Sequence, residues 1–411
     1  ERKNFPNNDL TDMNAGDAAT VKNSGYSREL AMISWFGRVN YDYAGKYLFE
    51  ANIRADASSR FAKGHRWGYF PSFSAAWRIS EEAFMEEAVG WLTDLKIRGS
   101  YGNLGNQSAL SDFYPWMNSY DLDAHYSLNG SLQTGYHQKN YKIATISWEK
   151  ARTWGVGIDA TLFGKLTVGL DYYDRKTTGI IMDVPVPAEF GLGAYKDNVG
   201  AMVNRGVELT LNYNESWDDW SFGVSANLAY NKNKVLYLDG VQSLADGDLK
   251  VKQVGAAYGT YRLYKTGGFF QSDEEAKRWQ EKHKNDAGYP FKRDFKAGDL
   301  IYMDTNEDGL INADDRVLCG SSNPSYTFGL NLSAGYKSID CSVMLTGVAD
   351  VKRMIDINGF GGEWSGDDCH PNNIWLDAWT PDNRDAKMPR IAVGKTSNNL
   401  EYSDFWLQDG S

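Results

Sequence analysis

ISWFGRVNYDYAGKYLFEANIRAD, residues 33–56, decides the fold. Trp35, Val39, Tyr41 and Tyr43 share one parity, and Arg38, Asn40 and Asp42 share the other. Successive side chains of a strand point to opposite faces, so the run reads as a strand with one apolar and one polar side. Ala44-Gly45-Lys46 is a tight turn. Beyond it Tyr47, Phe49, Ala51, Ile53 and Ala55 alternate with Glu50, Asn52, Arg54 and Asp56.

The same hairpin returns three times. Val156, Ile158, Ala160 and Leu162 alternate up to Phe163-Gly164-Lys165, and Leu166, Val168, Leu170 and Tyr172 alternate away. Val207, Leu209, Leu211 and Tyr213 lead into a turn at Ser216–Asp219, followed by Trp220, Phe222, Val224, Ala226, Leu228 and Tyr230. Tyr326, Phe328, Leu330, Leu332, Ala334 and Tyr336 precede Lys337-Ser338, then Ile339, Cys341, Val343 and Leu345. Each side runs roughly 10 to 14 residues, longer than the soluble strand of about 5–6.

Short turns alternate with long excursions at Asn103–Ser147, Thr177–Asn204, Asn231–Asn323 and Val348 to the end. Tyr and Trp close the apolar faces at the short turns, as an interfacial girdle does. The pattern therefore predicts an all-β chain, an antiparallel transmembrane β-barrel with short turns on one side and long loops on the other. Alternation alone leaves a soluble multi-sheet protein open. Residues 1–29 read as loop and 30–411 as strands and loops of one domain.

Composition agrees. Tyr, Trp and Gly number 25, 14 and 41, which suits twisted strands and turns. Mean hydropathy is −0.53, compatible with a barrel because half of each strand faces a wet lumen. No apolar run reaches the roughly 18 residues of a membrane helix. The formal charge of −11 argues against a nucleic-acid partner, which calls for a basic stripe. Cys319, Cys341 and Cys369 show neither disulfide nor zinc spacing, and His65, His125, His137, His283 and His370 form no paired-ligand motif. No carboxylate pair, nucleophile elbow or phosphate loop marks catalysis.

Two helical segments are predicted. Ser272 caps Glu274–His283 with Glu275 three residues on, as an ornament of the longest excursion. Ser80–Val89 forms a second short helix at a turn. Trp67, Trp116, Tyr120, Trp148, Trp364, Trp375 and Trp379 are loop-region aromatics that either stack on ligands or pack the loops together.

The sharpest local motif is Asp304-Thr-Asn306-Glu-Asp308-Gly309-Leu310-Ile-Asn312-Ala-Asp-Asp315. It has the spacing of a twelve-residue calcium loop: oxygens at positions 1, 3 and 5, Gly at 6, and an apolar residue at 8. Asp304, Asn306, Asp308 and Asp315 are candidate side-chain ligands of Ca2+, Leu310 gives its carbonyl, and Asn312 binds directly or through water. The alternative is an Asx-rich turn closed by its own hydrogen bonds.

Blocks spread over residues 30–411 carry a family resemblance. They include GYFPSFSAAWRISEEAFM from Gly68, DLKIRGSYGNLGNQ from Asp94, SWEKARTWGVGIDATLFG from Ser147 and NVGAMVNRGVELTLNY from Asn198. GDLIYMDTNEDGLINADDRVLCGSS from Gly298, AWTPDNRDAKMPR from Ala378 and SDFWLQDGS from Ser403 continue the order. The chain resembles the SusC/RagA family of TonB-dependent outer-membrane transporters. In this resemblance Phe70–Ser72 starts a strand and Asn204-Arg205-Gly206 is a tight re-entry before one. The resemblance implies an importer of oligosaccharides or peptides, not an enzyme. It also implies energy from the TonB complex through a plug absent from these residues, and a SusD-like surface lipoprotein as lid. The expected barrel has about 22 strands, of which roughly ten to twelve are present. A rival reading is a secreted, calcium-stabilised β-protein that binds carbohydrate without spanning a membrane.

The register itself is testable. Val39, Phe49, Ile53, Leu170, Leu209, Val224 and Leu330 should face lipid, and Arg38, Asn52, Arg54 and Asp171 the lumen. Spin labels at Phe49 and Ile53 should be quenched by a lipid-soluble agent, and labels at Asn52 and Arg54 should not. Quenching at the second pair only would shift the register by one residue.

Overall fold

The computed structural model describes residues 3–4, 17–20, 27–88, 90–138, 141–184, 186–239, 243–247, 249–284, 289–355, 373–392 and 397–411. Ten strands form one antiparallel sheet in chain order. They are β1 Met32–Tyr43, β2 Tyr47–Ser58, β3 Trp67–Arg78, β4 Leu92–Asn106 and β5 Glu149–Leu162. β6 Leu166–Val184, β7 Tyr195–Trp217, β8 Trp220–Leu238, β9 Tyr326–Tyr336 and β10 Ile339–Ala349 complete it.

The registers preserve face identity across the whole sheet. Val39 pairs with Ala51, Ile53 with Pro71, Ile97 with Ile158, Leu170 with Leu209, and Leu228 with Phe328. One continuous side is thus apolar and the other polar. The apolar side is laid bare, with Trp35, Tyr69, Ile158, Val343 and Leu345 among many exposed residues. A surface of that extent has no place in water.

The turns explain how the hairpins close. Ala44 and Gly45 have φ of 56° and 67°, and Phe163 and Gly164 have 54° and 66°. Two consecutive left-handed residues make the turn whose twist matches the flanking strands. The lysine that follows each turn is tied to a carboxylate of a neighbouring connection or strand. Lys46 Nζ lies 3.1 Å from Glu82, and Lys165 Nζ lies 2.8 Å from Glu215. Tyr47 Oη, Trp77 Nε1 and Lys46 together hold the Glu82 carboxyl below its ordinary range.

Several expectations need correction. The turn between β7 and β8 is only Asp218-Asp219, because Ser216 and Trp217 still pair with Ser221 and Trp220. The excursion expected over Thr177–Asn204 is mostly strand, since β6 runs to Val184 and β7 starts at Tyr195. Asn204-Arg205-Gly206 therefore lies inside β7 and is not a re-entry. β3 starts at Trp67 and not at Phe70. Pro71 is tolerated because the β3–β4 ladder begins only at Ser72–Gly102, so its missing N–H costs no bond there. Ser80–Val89 is a pair of 3₁₀ turns, Ile79–Glu81 and Ala83–Ala88, with Val89 outside the described residues.

Among the described residues of the ten-stranded sheet, irregularities in the ladders fall towards strand ends. They lie between Leu92 and Asp94, between Thr178 and Ile181, and between Val235 and Tyr237.

Candidate functional site

The polar side of the sheet is a wall of paired charges. Arg98 on β4 donates through Nε to Asp159 at 2.9 Å and through Nη2 to Asp171 at 2.7 Å, while Lys96 reaches Asp159 at 2.9 Å. Gly157 makes this bridge possible. A Cβ there would stand 2.4 Å from Asp171 Oδ1 and 2.9 Å from Arg98 Cζ. Arg54 pairs with Asp56 at 2.7 Å, and Arg38 pairs with Glu50. Two adjoining troughs of roughly 750 and 1000 Å³ run along this side. Lys96, Asp171, Tyr173 and Glu208 line the first, and Asn52, Ser72 and Asn106 the second. Such a surface gives polar solutes many hydrogen-bonding partners, and its Arg98, Asp159 and Asp171 charges already satisfy one another.

Beyond the sheet, the segment between β8 and β9 folds together with the segment after β10. Four short strands, Ser243–Asp246, Lys250–Gln253, Thr260–Tyr264 and Arg316–Ser321, form one small sheet. α1, Asp273–His283, starts with the expected cap, Ser272 Oγ accepting from Glu275 N at 3.2 Å. It is no ornament. Ala276 belongs to a buried cluster with Tyr264, Phe270, Phe291, Phe295, Leu300, Tyr302 and Ile311. Trp379 and Trp375, on the later segment, are buried as well.

A clasp joins the two segments. Asp299 is fully buried and takes Arg390 at 2.6 Å, Asn399 Nδ2 at 3.0 Å and Lys296 N at 2.8 Å. Burial pushes its carboxyl above the ordinary value, and Arg390 opposes the shift. Asn399 Oδ1 accepts from Leu300 N at 2.9 Å, and Tyr302 Oη donates to Asn398 O at 2.7 Å. No local sequence signal marks this clasp, because its halves lie about a hundred residues apart.

The Asp304–Asp315 loop folds as a compact turn. Gly309 has φ of 82°, the left-handed bend the spacing requires. Asp304 Oδ2 accepts from Gly309 N at 2.8 Å, and Asp308 Oδ1 from Leu310 N at 2.8 Å. Asn306 Oδ1 accepts from Asp308 N at 3.1 Å, and Asn312 Oδ1 from Asp314 N at 2.7 Å. Asp315 is buried, with its two oxygens on Thr305 N and Asn312 N, both at 2.8 Å. Asp304 Oδ1 is buried without a hydrogen-bond partner. Among the described residues no three His, Cys, Asp or Glu side chains converge as a metal site.

The loop aromatics divide by location. Trp148 is buried, donates to Arg66 O at 2.9 Å, and packs with Phe61, Phe70, Leu110, Ile146 and Ile181. Trp116 rests on that cluster. Trp67 and Tyr120 are exposed. Trp364, Cys369 and His370 lie outside the described residues.

A family model described as "TonB dependent receptor-like, beta-barrel" matches residues 2–348. "TonB-dependent receptor P26" of Formosa agariphila is 30% identical over 403 residues, covering 97% of this chain and 39% of that protein. "TonB-dependent receptor SusC" of Bacteroides thetaiotaomicron is 27% identical over 413 residues, covering 96% of this chain and 38% of its own length. The chain thus spans about two fifths of these relatives. In fold it is similar to the solved "RagAB peptide transporter", with a TM-score of 0.79 and 22% identity over 98% of this chain and 43% of that one.

The clasp predicts a specific loss. Asp299→Ala leaves Arg390 in a desolvated site without its carboxylate, which costs on the order of 3–5 kcal/mol locally. Hydrogen exchange should accelerate in residues 264–302 and 397–406 together, while β1–β10 keep their protection. Acceleration of only one segment would show that the two are not held as a unit.

Proposed function

Because the chain belongs to the TonB-dependent receptor β-barrel family, we propose that it supplies much of the wall of an importer energised through TonB. The cargo is a nutrient too large for porins, an oligosaccharide or a peptide. The protein resides in the outer membrane, where the continuous apolar face of β1–β10 meets lipid. This sets aside the secreted β-protein reading. The observation that carries the proposal is the two-sided ladder, whose inner side holds the paired Arg98, Asp159 and Asp171, Arg54 and Asp56, and Arg38 and Glu50.

A polar solute passing such a wall exchanges water for hydroxyls, amides and paired charges, and meets no strongly attractive site from which release is slow. The long segments clasped at Asp299 lie at the end of the sheet opposite the short turns. In a barrel that end faces outward, and a SusD-like surface lipoprotein would cover it. Selection of cargo then belongs to the outer segments and their lid, and passage to the wall. In this reading no residue of the chain has a catalytic role.

Import is tested in cells lacking the gene and complemented with it. Labelled oligosaccharide and labelled peptide pools are supplied separately, with and without a protonophore. One pool should accumulate only in complemented, energised cells. Accumulation of both pools regardless of gene or energy would overturn the proposal.

The Asp304–Asp315 loop is proposed as a structural Ca2+ loop of the outer segment. Its support is the donor spacing and the unpartnered Asp304 oxygen. Accepting one N–H leaves a carboxylate oxygen a further lone pair for a cation. Asp308→Ala or a chelator should speed hydrogen exchange across residues 296–322 and leave β9 unchanged. Equal protection with and without chelator would leave the loop closed by its hydrogen bonds alone.

A further inference from the structure

The apolar face changes character at its end farthest from the short turns. The registers place Lys150 and Arg152 on the parity of Trp154 and Val156, with Lys176 opposite Arg152. Arg205 lies opposite Asp174 and is itself opposite Lys232, while Lys234 is opposite Val203. Six cations from four adjacent strands therefore stand side by side on the lipid-facing side. On these strands the next charge down that face is Glu215, at the short-turn rim.

One carboxylate, Asp174, accompanies them, and Arg205 occupies it at 2.7 Å. Among the described residues the other five form no ion pair. Val203, flanked directly by Lys176 and Lys234, is only 6% exposed. The aliphatic stems of both lysines can lie along it while the ammoniums reach outward.

Their height is the decisive quantity. From Trp220 to Tyr230 the strand advances roughly 33 Å, about 25 Å across the bilayer at a tilt near 40°, which is the height of a barrel's apolar band. Lys232 and Lys234 lie about 5–10 Å beyond Tyr230. That is the level of lipid headgroups, and unpaired cations there seek phosphate.

We propose that Lys150, Arg152, Lys176, Lys232 and Lys234, with Arg205, bind phosphate-bearing lipid headgroups of the outer leaflet. The inference rests on the reading that the short turns face the periplasm, but it is measured on purified protein and so fails or holds separately from import. The four ammoniums and two guanidiniums supply the charge, while the Trp154 ring, in the row of Arg205 and Lys232, and the Tyr172 and Tyr230 rings, one row nearer the short turns, support the acyl chains.

The test uses the whole transporter purified in mild detergent and stripped of lipid. Phosphorylated lipid A and its dephosphorylated form serve as probes, with bound lipid read by native mass spectrometry. The phosphorylated probe should bind, and Arg152→Gln/Lys176→Gln/Lys234→Gln should weaken it on the order of a hundredfold, at about fivefold per charge. Lys277→Gln/Lys282→Gln on α1 should change nothing. Heat-modifiable gel mobility reports folding, and Arg152→Gln alone is measured if the triple variant does not fold. Equal binding by the triple variant, equal binding of the dephosphorylated probe, or displacement by millimolar inorganic phosphate would each overturn the proposal.

Discussion

A peptide N–H surrounded by hydrocarbon has no partner except another strand. That single constraint organises the protein. It forces β1–β10 into one unbroken ladder, and the ladder turns a two-residue period into two opposed surfaces. Everything on the lipid side must then be apolar between the aromatic rims, and every charge must go inward or beyond the rims. The paired Arg98, Asp159 and Asp171 take the first course, and the cations around Lys232 take the second.

The segments beyond the sheet live under different physics. Water satisfies their surface backbone, so they need a core of their own to stay ordered. They build it from aromatics around Tyr302 and Phe291 and close it with a buried ion pair. A buried pair gives little net stability compared with apolar packing, but removing one partner is costly. Asp299 and Arg390 thus commit two distant segments to one arrangement more than they strengthen it.

This contrast also decides what was legible in the sequence. The hairpins at Gly45 and Gly164 could be read because period and turn chemistry are local. The far ends of β6 and β7 could not: past Tyr172 the lipid-side residues become Asp174 and Lys176, and alternation of hydrophobicity disappears while strand pairing continues. The cap at Ser272 was readable, yet the burial of Ala276 depended on partners up to 35 residues away, such as Ile311. The spacing of Asp304–Asp315 fixed the bend at Gly309, but spacing cannot report which lone pairs the backbone already uses. The clasp had no local signal at all.

The ladder irregularities at Leu92–Asp94, Thr178–Ile181 and Val235–Tyr237 carry a consequence for how such a chain can change over time. A single inserted residue inside the apolar band would turn every later side chain of that strand inside out. At a strand end the same insertion is absorbed as a bulge. Lineages descended from this sequence should therefore gain or lose wall residues in twos, and single-residue length differences should collect at the hems of the sheet.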